Sequence, residues 1–121
     1  MKHKQALGAW GEAIAAEALK TRGFAIVERN YRSRYGEIDI IARNDAYLVF
    51  AEVKLRKSTY FGAAREFVDA RKQERLRATA ALWLEEHETD LQLRFDVIEI
   101  YAPDGLETKS PSVRQIENAF A

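Results

Sequence analysis

A chain of 121 residues, 47% hydrophobic and 31% charged, has the size and composition of one ordinary domain with a true core, and of neither a disordered segment nor a membrane bundle. It holds no cysteine and only two histidines, His3 and His87, which excludes disulfides, thiolate nucleophiles and sulfur- or histidine-built metal cages and leaves oxygen to hold any metal. Its 19 basic and 19 acidic residues cancel, a sum that argues against a nucleic-acid binder until it is broken down along the chain. Met1–Tyr35 carries 7 basic and 3 acidic residues, Gly36–Glu52 carries 1 and 4, Val53–Thr79 carries 8 and 3, and Ala80–Ala121 carries 3 and 9. The charges come in blocks.

No apolar run approaches the ~18 residues of a spanning helix, and the first residues lead into an alanine-rich amphipathic stretch instead of an apolar signal segment. The expectation is a soluble, cytoplasmic protein with no membrane partner, one domain over residues 1–121. From about Lys4 to Arg22, Leu7, Trp10, Ile14 and Ala18 recur at helical spacing, and Gly23 stands where a left-handed C-terminal cap belongs. Phe24–Tyr31, Glu37–Arg43 and Tyr47–Lys54 read as three strands, the last two joined by a tight turn on Asn44-Asp45, which tolerate positive φ. A second helix runs from about Val68 to Glu88 with Val68, Leu76, Ala80 and Trp83 on one side. Leu91–Tyr101 is a fourth strand ended by Ala102-Pro103-Asp104-Gly105, and Val113–Phe120 fits a short strand or a helix. Trp10 and Trp83 read as core anchors, and Glu85-Glu86-His87-Glu88 with Asp90 as a solvated helix end. Helix, three strands, helix, strand is the order of a mixed sheet flanked by helices.

Tyr47-Leu48-Val49-Phe50-Ala51 lacks polar alternation, the pattern of a central strand covered on both faces. Glu52 and Lys54 then fall on the face of Leu48 and Phe50, because side chains alternate with period two. A turn on Asn44-Asp45 pairs Arg43 with Ala46, Asp39 with Phe50 and Glu37 with Glu52, which puts Asp39 diagonal to Glu52 on one face. Such neighbours lie ~7–8 Å apart at Cα, within reach of a shared cation. A three-residue turn would send Asp39 to the opposite face. Carboxylates clustered in this way repel unless a cation offsets them, and a hard divalent ion such as Mg²⁺ is the natural occupant. Without such an ion, Glu52 and Lys54 reduce to a surface pair, and Glu37 and Asp39 to solvent-facing residues of an edge strand.

Gly36-Glu37-Ile38-Asp39 and, after twelve intervening residues, Glu52-Val53-Lys54 resemble the Asp…Glu-x-Lys signature of the PD-(D/E)xK nuclease superfamily, with Ile38 in place of the proline of its name. More narrowly, Gly8-x-x-Gly11-Glu12, Gly23, Arg29-Asn30-Tyr31, Phe50-Ala51-Glu52-Val53-Lys54-Leu55-Arg56, Lys72 and Asn118-Ala119-Phe120 resemble the YraN-like bacterial family of predicted endonucleases, related to archaeal Holliday-junction resolvases. The resemblance implies an αβββαβ restriction-endonuclease-like core and a Mg²⁺- or Mn²⁺-dependent endonuclease acting on DNA, with branched or junction DNA among the candidate substrates. It implies Asp39 and Glu52 as metal ligands with the main-chain carbonyl of Val53 as a third, Lys54 as the residue that positions water or neutralises the phosphate, and Glu12 at the same site directly or through water. Glu12 otherwise interrupts a helical row of small and apolar residues, Gly8, Ala15, Ala16 and Leu19, and would pair with Arg32 or Arg34. Glu37 is expected outside the metal's ligands, with a partner such as Arg56.

Basic residues bracket these carboxylates in sequence. Arg32, Arg34, Arg56, Lys57, Lys72 and Arg75 are the candidates for contacts to a nucleic-acid backbone, which cations bind through counterion release; on the second helix a solvated face explains the same residues, and Lys72 would snorkel past Val68 and Leu76. Tyr35, Tyr60 and Phe61 fall in loops, where an aromatic stacks on an exposed base or, more simply, packs at a loop end. His3 and His87 receive no role. The alternatives to a nuclease are a non-catalytic nucleic-acid-binding module on the same fold and a structural interaction domain. Resolvase-like action requires two sites and hence a homodimer.

Overall fold

The computed structural model describes residues 2–57 and 69–120, with side chains from residue 5 onward. Tyr60, Phe61, Val68 and the side chain of His3 lie outside the described residues. The elements in order are α1 (Lys2–Thr21), β1 (Ala25–Ser33), β2 (Gly36–Arg43), β3 (Tyr47–Arg56), α2 (Ala70–Glu86), β4 (Gln92–Tyr101), a 3₁₀ turn (Gly105–Glu107) and β5 (Ser112–Ile116). The five strands lie side by side in sequence order, β3 and β4 parallel and every other pair antiparallel. The expected αβββαβ order is present, and the tail is a strand because Ser112–Ile116 completes the edge beside β4. Among the described residues no helix is long and apolar enough to cross a membrane.

Each helix covers one face. On one side Ala15, Ala16 and Leu19 of α1 pack on Ile40, Val49 and Ile98; on the other, Leu76, Ala80 and Trp83 of α2 pack on Ile41, Phe50 and Val97. The small residues let α1 approach closely, and Gly11 most of all: a Cβ there would come within 2.9 Å of Leu55. Trp10 flanks the α1 core half-buried, whereas Trp83 is buried, edge-on to Phe50, with its indole N–H donating to Glu28 at 3.0 Å. Helix α1 ends as expected: Gly23 adopts φ 92, Phe24 N–H donates to Leu19 O and Gly23 N–H to Lys20 O, the paired bonds of a glycine-capped C-terminus. Asp69 caps α2 by accepting from Lys72 N–H at 2.9 Å, which fixes the helix start at Ala70. Leu48 to Glu52 are all buried, as a strand covered on both faces requires.

Two local features overturn the expected register and face. Asn44 Oδ1 accepts from the N–H groups of Ala46 and Tyr47 at 2.9 and 2.8 Å, an Asx-type bond that moves the turn onto Asp45-Ala46. Arg43 therefore pairs with Leu48 and Ile40 with Ala51. This is a slip of two residues, so Glu37 does not face Glu52, and the ladder ends at Ile40↔Ala51, one residue short of Asp39 and Glu52. The second feature is a break in alternation: Ile38 and Ile41 enter the α2 core while Ile40 and Ala42 enter the α1 core, although period two would group Ile38 with Ile40. The break lies opposite Asn30, which holds φ 55 between the pairs Arg29↔Ile40 and Tyr31↔Ile38. Asparagine tolerates that left-handed conformation.

Candidate metal centre in the fork of two strands

The β2–β3 ladder ends at Ile40↔Ala51, whereas β3 stays paired with β4 as far as Arg56↔Tyr101. Beyond Ala51 the edge of β3 has no ladder partner in β2. A half-buried backbone donor there needs another acceptor, and Val53 N–H finds it in Asp39 Oδ2 at 2.8 Å. Asp39 thus sits in the fork between two parting strands.

On the α1 side of the fork, Glu12, Glu37 and Asp39 each bring one carboxylate oxygen to within 4.8 Å of the others. Gly11 allows α1 the approach that delivers Glu12, and the alternation break points Glu37 and Asp39 toward it. Asn30 Nδ2 donates to Glu12 at 2.8 Å and to Glu37 at 3.2 Å. Arg32 pairs with Glu37 across the β1–β2 ladder, and Arg29 comes within 3.9 Å of Glu12. The expected partners were different: Arg32 or Arg34 for Glu12, and Arg56 for Glu37. Strand pairing decides the matter, since β1 lies beside β2 and presents Asn30 and Arg32 to Glu37. Glu37, expected outside the metal's ligands, is one of the three acids that one cation can bridge.

Glu52 lies on the α2 side, 8% exposed, with Lys72 Nζ at 2.6 Å and Lys54 Nζ at 3.5 Å. The expectation that Glu37, Asp39 and Glu52 share one sheet face is thus replaced by a site that wraps the fork from both faces. Glu52 does not join the acidic trio, but it acts on it electrostatically. Burial pushes the Asp39 carboxyl up to about 7 from an ordinary 3.8, Glu52, Glu12 and Glu37 push the same way, and the Val53 N–H opposes them. Burial, then the neighbouring Lys72, lowers Lys54. Burial would lower Lys72 too, but its contacts with Glu52 leave it raised above the ordinary lysine value. The lysine nearer Glu52 holds its proton more tightly and weakens the hold of the other.

The remaining cations are scattered. Arg34 lies exposed at the β1–β2 turn with its guanidinium over the Tyr35 ring. Arg75 is exposed on α2, and Lys57 is exposed past the end of β3. Arg56, a candidate for backbone contacts, has a side chain 11% exposed and paired at 2.9 Å with the wholly buried Glu99, which gives it a structural role as counterion. Tyr35, expected to pack at a loop end, is 40% exposed. Asn30, which the sequence offers only within the Arg29-Asn30-Tyr31 motif and with no role at the site, ties Glu12 to Glu37 through its side-chain amide.

A mixed α/β domain with a carboxylate and lysine cluster at a strand fork is thus the class that the fold and site define. The family model described as "Uncharacterised protein family UPF0102" matches residues 11–100, and the chain belongs to this family, the YraN-like one of the resemblance. It is 42% identical over 121 residues to a UPF0102 protein of Rhodococcus opacus, covering 99% of this chain and 100% of the relative. It is 45% identical over 123 residues to one of Acetivibrio thermocellus (98% and 93%) and 47% over 104 residues to one of Frankia alni (85% and 87%).

Proposed function

We propose that the protein is a metal-dependent endonuclease that hydrolyses phosphodiester bonds in DNA, with branched or junction DNA as its substrate. The observation that carries this reading is the under-compensated acid at the fork: Asp39, ringed by Glu12, Glu37 and Glu52, retains its proton to about 7. A carboxyl perturbed by burial and by like charges clustered around it is a functional-site candidate with a physical rationale, and the gathering of Glu12, Glu37 and Asp39 within 4.8 Å supplies the geometry. The resemblance to the PD-(D/E)xK superfamily and to Holliday-junction resolvases supports the same conclusion.

The donor set fits Mg²⁺ or Mn²⁺: all the ligands on offer are hard carboxylate oxygens, and the shared repulsion is what a divalent cation relieves. Glu12, Glu37 and Asp39 would hold the ion, and the resemblance adds Glu52 and the Val53 carbonyl to the ligands. When bound, the ion polarises the scissile phosphate and makes water a competent nucleophile near neutral pH. Asp39 gives up its proton as positive charge enters the fork. Lys54, on the Glu52 side, orients the water or neutralises charge on the phosphoryl oxygens, a role for which loss of one preorganised donor costs about 2.7–4 kcal/mol. Lys72 holds Glu52 in place. The reading places the protein in the cytoplasm, and resolvase-like cutting calls for a homodimer with two such sites.

A second reading, a nucleic-acid-binding module without catalysis, draws on the engagement of Glu52 by two lysines, which neutralises one of the implied ligands. One experiment decides. The protein and Glu52→Ala are incubated with linear, single-stranded and four-way-junction DNA, with Mg²⁺, with Mn²⁺ or with chelator. Metal-dependent cutting of the junction that Glu52→Ala loses is the expected result. Salt-sensitive binding without cutting supports the module, and absence of binding at low salt removes both readings.

A further inference from the structure

Between the β1–β2 turn and α2 lies a cleft of about 320 Å³ lined by Gly36, Glu37, Lys72, Arg75 and Leu76. Its inner end is the fork itself: Lys72 is the lysine on Glu52, and Glu37 belongs to the acidic trio. At the turn beside Gly36 stands Tyr35, 40% exposed, with the Arg34 guanidinium 4.9 Å from its ring centroid and donating to its hydroxyl at 2.9 Å. The two walls are fastened together. Tyr35 N–H donates to Ser33 Oγ at 3.0 Å, Ser33 Oγ meets Thr79 Oγ1 at 2.9 Å, and the wholly buried Thr79 hydroxyl donates to Arg75 O at 2.8 Å. A continuous chain of hydrogen bonds therefore runs from the backbone under Tyr35 to the helical turn that carries Arg75, and it ties the β1–β2 turn to α2 before any ligand arrives.

We infer that this cleft takes a single strand of DNA leading to the scissile bond, with Tyr35 stacking on an unpaired base and Lys72 and Arg75 meeting its phosphates. An exposed aromatic ring at the mouth of a groove that carries cations is the arrangement by which proteins hold single strands without reading sequence. A base inside a duplex has its faces covered by neighbouring pairs, so the ring selects DNA with an unpaired nucleotide beside the cut. The inference rests on the reading of the fork as a phosphodiester site and narrows its substrate to DNA that offers an unstacked base there.

The test is binding in chelator at low salt, which needs no catalysis: fluorescence anisotropy of a labelled single strand and of a blunt duplex with the wild type, Tyr35→Ala, Tyr35→Phe and Arg75→Ala. Tyr35→Ala weakens single-strand affinity about 5- to 100-fold, Tyr35→Phe retains it, and neither alters duplex affinity. Arg75→Ala weakens the single strand and reduces the slope of log K against log salt by about 0.7. Unchanged single-strand affinity in Tyr35→Ala, equal losses on single strand and duplex, or a Tyr35→Phe as weak as Tyr35→Ala would overturn the inference. Cutting by the wild type without Tyr35-dependent binding overturns the cleft and leaves the nuclease standing. Tyr35-dependent binding without cutting does the reverse.

Discussion

Asp96 and Asp39 are both acids withdrawn from solvent on the same sheet, and their surroundings are opposite. Asp96, wholly buried on β4, accepts two bonds at 2.9 Å from Arg94, one at 2.8 Å from Gln115 and one at 3.0 Å from Asn118 N–H, which fills the acceptor capacity of a carboxylate. Glu99, two strands from β2, is likewise met by Arg56, Arg114 and the Tyr101 hydroxyl. Asp39 receives one backbone N–H and is surrounded by three further carboxylates, and among the described residues no lysine or arginine comes within ion-pair distance of it. The fold neutralises its structural acids with cations of its own. At the fork it gives Glu12, Glu37 and Glu52 cations but leaves Asp39 without one, and that unpaired acid, more than the mere presence of acids, separates a site from an ion-pair network.

The sharpest way to break this contrast is to remove one acid of each kind. Asp96→Ala strands Arg94 in the interior and is expected to cost about 3–5 kcal/mol in urea unfolding; a loss below ~1 kcal/mol, the range of an exposed pair, would put Asp96 and Asp39 in the same class. Asp39→Asn works in the other direction. A carboxyl raised from 3.8 to about 7 in the folded state contributes stability that is full below its unfolded value and is lost as pH rises through 7. The span corresponds to roughly 4 kcal/mol as a ceiling, at about 1.36 kcal/mol per pH unit. In chelator, wild-type stability therefore falls between pH 4 and 8, and Asp39→Asn, whose amide oxygen still accepts from Val53, falls less. Parallel pH profiles would mean that the fork holds no unpaired acid.

A smaller effect comes from Mg²⁺ itself. If the fork binds Mg²⁺ as proposed, a hundredfold excess over its Kd is expected to stabilise the wild type by about 2.7 kcal/mol, read as a thermal shift at pH 8. At pH 5, where Asp39 is protonated, the shift shrinks, and Glu37→Gln reduces it at both. A shift that survives in Asp39→Asn would locate the ion elsewhere on the surface.

The parts of this contrast that could be read along the chain are those governed by local periodicity. The row of Ala15, Ala16 and Leu19 on one side of Glu12, the glycine cap at Gly23 and the unbroken apolar run of β3 are short-range patterns, and the structure keeps all three. Register and face were not legible, because each turns on one side chain bonding in an unusual way. Asn44 spends its carbonyl oxygen on the turn and slips the hairpin by two residues, a slip that preserved parity by being even. Asn30 takes φ 55 opposite Asp39, and Ile38 and Ile40 part to opposite cores. Glu37 enters the acidic trio as a result. The pairing of Arg56 with Glu99 in place of Glu37 escaped for a different reason: Glu99 lies 43 residues away on a parallel strand, a distance at which periodicity says nothing.

Arg32 tests the contrast at its finest. Its side chain is 78% exposed and paired with Glu37, so Arg32→Ala should change stability by less than ~1 kcal/mol. The informative quantity is the salt dependence of DNA binding. An arginine that meets phosphate directly loses about 0.7 from the slope of log K against log salt on a single strand when it is removed. A guanidinium already neutralised by Glu37 has no counterion to release, and its removal should leave the slope where it is while Arg75→Ala lowers it. If Arg32→Ala lowers the slope as Arg75→Ala does, then Glu37 hands Arg32 over to the nucleic acid, and the trio faces the incoming phosphate with one more uncompensated acid than the free protein has.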